Sequence, residues 1–250
     1  KGSEQMNSIW INAPAKINIG LDVLRRREDG YHEVKMIMQS IRLFDRLTLT
    51  KSDKPGIRLT TNLRFLPVNE DNLVYRSAKL LMDEYKLEGG LDIQLDKRIP
   101  VAAGMAGGST DAASCMLALN DLYELGLSKR QLMKRGVRLG ADIPYCILKG
   151  TALSEGIGEK ISTIPKMPDC YVLICKPGIH VSTGFVYTNL VLDENTPHPD
   201  IDYMITCMKK KDLKTLCQNL GNVLETVTIP AHPEIAQIKE TMMQEGALGS

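Results

Sequence analysis

The sequence predicts an α+β protein. Strand-like runs occur in both halves of the 250-residue chain, with helical patterns grouped between and after them rather than in strict βαβ alternation. LDIQLDKRI (91–99) alternates cleanly, Leu91, Ile93 and Leu95 facing one way and Asp92, Gln94 and Asp96 the other. NLVYRSAKLLMDEYKL (72–87) instead places Leu73, Val74, Ala78, Leu81 and Met82 on one helical face.

In chain order, SIWINAPAKINIGLDVL reads as strand, EDGY (28–31) as a turn, and HEVKMIMQSIRLFDRLTLT as a second strand. A polar stretch (51–57) leads to a short strand near 57–61, and Asp71 is the expected N-cap of the 72–87 helix. From Asp111 to about Leu122 an alanine-rich run suits a buried helix, with Gly126 as its stop. Ser128 with Gln131 is a capping-box start for another helix, which Gly140 is expected to end. TALSEGIGEKI and CYVLICKPGI read as strands, DENTPHPD (193–200) as the nearest thing to a linker, and the chain from about 201 as mostly helical. The opening KGSEQ, ahead of Met6, reads as an expression remnant and is left out of fold reasoning.

Composition is that of an ordinary globular protein, 43% hydrophobic and 24% charged, with room for one large domain or two small ones. A net charge of +1 gives no global attraction to nucleic acid or an anionic membrane, so neither is an expected partner. No apolar run reaches the ~18–20 residues of a membrane span. The six cysteines lack metal-ligand spacing, so no metal site is expected from protein side chains, and buried, reduced thiols in a cytoplasmic protein are expected.

IPVAAGMAGGSTDAAS (99–114) carries the chemistry. A strand, then Gly104, Gly107 and Gly108, then a helix is the layout of a phosphate cradle: glycines admit the phosphates, and free helix amides with the macrodipole bind them. The same layout also serves a tight strand-to-helix turn. No lysine follows the glycines, which excludes G-x-x-x-x-G-K-[ST], and G-x-G-x-x-G is absent. Positive charge and a base must then come from elsewhere. Lys16 lies in the otherwise apolar NAPAKINIG, and Asp142 in GADIPY. Singly, these read as a snorkelling edge lysine and a loop or capping carboxylate. Together with the glycine loop they form a base, a cation to hold it ionised, and a cradle.

These stretches resemble the small-molecule kinases named for galactokinase, homoserine kinase, mevalonate kinase and phosphomevalonate kinase. The matching segments are APAKINIGLDVLRRREDGYHEV, PVAAGMAGGSTDAAS, LGADIPY and ALSEGIGE, with a further one at KPGIHVSTGFVY. DGYH and GADIP point to the branch that phosphorylates the 2-hydroxyl of a cytidine diphosphate-linked methylerythritol, in the non-mevalonate route to isoprenoids. The resemblance implies ATP and Mg²⁺, and a two-domain fold. Its N-terminal nucleotide domain (6–160) is like part of ribosomal protein S5, its C-terminal α/β substrate domain spans 161–250, and the site lies in the cleft between. It implies Asp142 as general base and Lys16 beside it. ATP falls to Pro100, Ala102, Ala103, Gly104, Met105, Ala106, Gly107, Gly108, Ser109 and Thr110, with Asn72 on the adenine side. The cytidine pocket falls to Asn18, Tyr31, His32, Thr183 and Tyr187, Tyr31 and Tyr187 sandwiching the base while His32 bonds its edge. Without the resemblance, Tyr31 reads as a hairpin residue and Tyr187 as a surface helix residue. The chain ends on GALGS, where the family begins a third glycine-rich motif and a last strand, so the C-terminal domain is expected to lack both. A monomer or homodimer is expected. Other alcohols, such as homoserine or mevalonate, and a nucleotide-binding relative without catalysis, remain open. Arg25–Arg27 and Lys209–Lys211 read as solvated surface, and His180, His198 and His232 are given no role.

Overall fold

β1 (Ser8–Arg26) and β2 (His32–Ser52) are long strands joined by a turn in which Gly30 takes φ +84°, a conformation that costs glycine little. The computed structural model describes residues 7–250, so the KGSEQ leader and Met6 lie outside the described residues. β3 (Gly56–Thr61), α1 (Leu73–Tyr85), β4 (Gly90–Asp96), α2 (Gly107–Leu122), α3 (Lys129–Gly136) and α4 (Ile143–Leu148) follow. β5 (Thr151–Gly156), β6 (Lys160–Thr163), α5 (Thr183–Asn189), α6 (Ile201–Lys210), α7 (Leu213–Gln218), β7 (Gly221–Asn222), α8 (Glu225–Ala231) and α9 (Glu234–Gln244) complete the chain. The expected α+β class is the observed one.

The chain forms two compact units that cut across the expected boundary at 160/161. The first takes the residues up to Lys16 and Ser40–Lys149; the second takes Ile17–Gln39 and Gly150–Ser250. In the first, β2 pairs antiparallel with β4, from Arg46 opposite Asp96 to Ser52 opposite Gly90, and β3 lies parallel to β4. The predicted alternation in β4 holds: Leu91, Ile93 and Leu95 are buried, as are Leu47 and Leu49 of β2 and Val74, Ala78, Leu81 and Met82 of α1. In the second unit, β2 pairs antiparallel with β5, from Val34 opposite Gly156 to Gln39 opposite Thr151, and β7 runs parallel to β1 at Gly20 and Leu21. Ile19 and Ile37 pack there with Ile201, Met204, Cys207, Met208 and Leu216, so α6 and α7 cover that part of the strands.

Several boundaries differ from expectation, each for a local reason. The N-cap of α1 is Asn72 rather than Asp71: its Oδ1 accepts the Val74 N–H at 2.9 Å. α2 starts at Gly107, not Asp111, because tertiary packing recruits two glycines and Ser109–Thr110 into the first turn. It stops at Leu122, before Gly126. The Ser128–Gln131 capping box is present, but α3 ends at Gly136 rather than Gly140. α4 was not expected. CYVLICKPGI (170–179) is not a strand: residues 170–176 are exposed, and a strand needs a hydrogen-bonded neighbour to gain from its pleat, so Cys170 and Cys175 are exposed rather than buried as expected.

Candidate active site

In the first unit, β1 delivers Lys16 to the glycine loop. Lys16 is 7% exposed, its amide donates to the Met105 carbonyl at 3.1 Å, and the Thr110 hydroxyl donates to the Pro14 carbonyl at 2.8 Å. Residues 14–16 therefore hold the loop at both Met105 and Thr110. Within the loop, Ala102, Gly104 and Ala106 all have positive φ, and Ala106 is the N-cap of α2 with no side-chain cap. Left-handed residues at alternate positions turn backbone N–H groups toward one side, and an uncapped helix start leaves its first amides available to an anion. Leu73, next to Asn72, lies 3.7 Å from where a Gly108 Cβ would be, so α1 begins beside the loop. The Asn72 carboxamide is committed to its own cap and to the Pro67 carbonyl at 2.8 Å.

Asp142 occupies the N-cap position of α4, with Pro144 just behind it, and makes no side-chain capping bond. α4 is buried from Ile143 to Ile147, and the Tyr145 hydroxyl lies 3.1 Å from the Ser40 hydroxyl, which fixes the segment that carries Asp142. Gly140 sits beside the loop as well: a Cβ on it would lie 3.9 Å from Ser109 Oγ.

The Cys146 thiol reports how these pieces converge. Burial pushes it up to about 12; the Asp142 charge adds to the rise, while the Lys16 charge and a hydrogen bond with Thr110 oppose it. One buried sulfur thus feels the candidate base, the candidate cation and the last residue of the glycine motif. Pro100, Ala103 and Met105 complete the loop, Met105 buried and the other two half-exposed. Among the described residues no His, Cys, Asp or Glu cluster suits a metal ion.

The remaining site residues lie in the second unit. Tyr31 is 61% exposed at the tip between β1 and β2, where its carbonyl accepts the Arg27 N–H at 2.8 Å and its N–H donates to Asp29 at 3.1 Å. His32 meets Tyr187 of α5, ring centroids 5.0 Å apart and planes tilted by 38°. Burial and then the Arg26 charge lower the His32 pKa. Thr183 is the exposed first residue of α5, and Asn18 is half-buried on β1. Tyr187 and Leu190 pack on a cluster of Leu21, Val23, Val34 and Val223, which anchors α5.

Sequence reasoning missed the charged group beneath the loop. Lys97 is buried and donates to both Asp45 and Asp111, which lie 52 and 14 residues away along the chain. The only local signal was a lysine at the end of β4.

Comparison with known proteins shows the family. Residues 72–150 match the model of the GHMP kinases N terminal domain, a span from α1 through α4. The 4-diphosphocytidyl-2-C-methyl-D-erythritol kinase of Lachnoclostridium phytofermentans is 53% identical over 98% of this chain and 84% of its own length, and that of Lachnospira eligens 52% over 98% and 85%. The chain belongs to that kinase family. A crystal structure of a 4-(cytidine 5'-diphospho)-2C-methyl-D-erythritol kinase superposes with a TM-score of 0.79 at 29% identity, over 97% of this chain and 88% of that one. Homoserine kinase from Cytophaga hutchinsonii, at 18% identity and a TM-score of 0.67 over 100% and 82% of the two chains, shares the fold. Membership makes the chain a small-molecule kinase that uses ATP.

Proposed function

We propose that the chain transfers the γ-phosphoryl group of ATP to the 2-hydroxyl of 4-diphosphocytidyl-2-C-methyl-D-erythritol. Family membership supports the substrate, and the chemistry rests on Lys16, bonded through its amide to the Met105 carbonyl of the glycine loop, and on Asp142 at the start of the buried helix α4. Asp142 takes the proton of the 2-hydroxyl as its oxygen bonds to the γ-phosphorus and the bond to the ADP leaving oxygen breaks. Lys16 stabilises the negative charge that develops on the transferred group. Pro100 opens the loop, and the residues from Val101 to Ser109 supply N–H groups to the phosphates. Thr110 acts from behind by pinning the loop to Pro14. Mg²⁺ enters bound to ATP as part of the substrate.

On the cytidine side, Tyr187, whose ring packs beside His32, and Tyr31 offer aromatic faces on which a pyrimidine can stack, His32 bonds its edge, and Asn18 and Thr183 complete the pocket. Stacking on such a surface contributes about 1–3 kcal/mol per base. The proposal includes a cytoplasmic enzyme, monomeric or homodimeric, with the nucleotide role in 6–160 and further substrate contacts from 161–250. Asp142→Asn keeps the shape of α4 and removes the base. Turnover should fall by roughly 10²–10⁴-fold, with an unchanged unfolding midpoint. ADP release near the parent rate would remove Asp142 from the chemistry.

A further inference from the structure

The glycine loop has no lysine of its own, yet a lysine ammonium lies directly under it. Lys97 follows β4, and Asn62 clamps its backbone: the carboxamide accepts the Lys97 N–H at 2.8 Å and donates to its carbonyl at 3.0 Å. The side chain runs inward, where Nζ donates to Asp45 and, at 2.7 Å, to Asp111 of α2. Asp45 also accepts the N–H groups of Arg98, at 2.5 Å, and Ile99, at 2.8 Å, the two residues leading into the loop. On the exit side, a Cβ on Gly107 would lie 3.2 Å from Lys97 Nζ. One ammonium therefore ties together the strand before the loop, the loop entry and the helix that receives it.

Stability alone is a poor reason for this arrangement. Two acids share one base in a buried site, Asp111 Oδ1 has no hydrogen-bond partner among the described residues, and burial of such groups costs as much as their attraction returns. Burial, reinforced by the Asp45 charge and opposed by Lys97, pushes Asp111 up to about 8. What the network does supply is a unique geometry at both ends of residues 98–107.

We propose that Lys97 is a positioning residue for phosphoryl transfer, holding the glycine loop and the first turn of α2 in the arrangement that receives the ATP phosphates. This rests on the kinase function proposed above. The test compares the parent with Lys97→Met and with the pair Asp45→Asn/Lys97→Gln, which removes both charges together and keeps hydrogen-bonding groups. Binding of a non-hydrolysable ATP analogue is measured by calorimetry, and KM is measured separately for ATP and for the cytidyl substrate. Misplacing the loop should weaken analogue binding and raise KM for ATP by about 10- to 100-fold. KM for the cytidyl substrate should stay within about twofold. A merely structural role lowers the melting temperature and the active fraction while leaving analogue affinity and both KM values in place, and that result overturns the proposal. Should Lys97→Met fail to fold, the paired variant decides. A parent that binds the analogue but releases no ADP with the cytidyl substrate contradicts the kinase function alone, and the affinity comparison still decides the role of Lys97.

Discussion

Asp111 and His32 are two titrating groups whose environments make opposite predictions. Asp111 keeps its proton in the folded state up to about 8, whereas an unfolded Asp releases it near 3.8. Between those values the folded chain holds the extra proton, so this contribution to stability is full at low pH and is lost as pH rises toward 8. Asp111→Asn, which cannot titrate, should remove that slope; urea midpoints measured from pH 5 to 8.5 should converge for the two proteins at the acidic end only if the parent carries it. His32 is shifted the other way, below the ordinary 6.5, first by burial and then by Arg26. The shift favours the neutral ring, the form in which the proposed function has it bond a cytosine edge. KM for the cytidyl substrate should rise as pH falls, with a midpoint below 6.5, and His32→Ala should abolish that pH dependence. A midpoint above pH 7 would assign the effect to another group.

Elements explain why the site stands where it does, and which parts of it were legible beforehand. The alternation of β4 and the Ser128–Gln131 box were readable because each is a local rule with a short period. α4 was not: six residues are too few for helical periodicity, and Pro144 disguised a helix start as a loop. The first turn of α2 was hidden because glycines read as loop until packing holds them in a helix. The Asp45–Lys97–Asp111 network was invisible because only the topology of β2, β4 and α2 brings those residues together. Close contact of α3 with α4 gives a direct test. A Cβ on Gly136 would lie 2.5 Å from Ile143 Cγ2, next to Asp142. Gly136→Ala should destabilise by about 1–3 kcal/mol in urea unfolding, the usual cost of overpacking. A change under ~0.5 kcal/mol would mean that the two helices separate easily. By contrast, Leu173→Lys, in the exposed 170–176 segment, should leave the midpoint within that margin.

At the scale of the molecule, the proposed function has a near-neutral chain bind an anion locally, through backbone N–H groups and a few placed charges, rather than through a basic surface. Lys16, Asp142 and the glycine loop belong to the first unit, and Tyr31, His32 and Tyr187 to the second. The proposed function assigns both sets to one reaction, and that claim separates this chain from homoserine or mevalonate kinases that share its fold. The most direct measurement is ADP release by the chain given ATP and Mg²⁺ with each candidate acceptor in turn. Rapid turnover is expected with 4-diphosphocytidyl-2-C-methyl-D-erythritol, and turnover near background with homoserine, mevalonate or methylerythritol phosphate lacking the cytidine group. Equal rates with and without the cytidine group, or preference for one of the other alcohols, would contradict it.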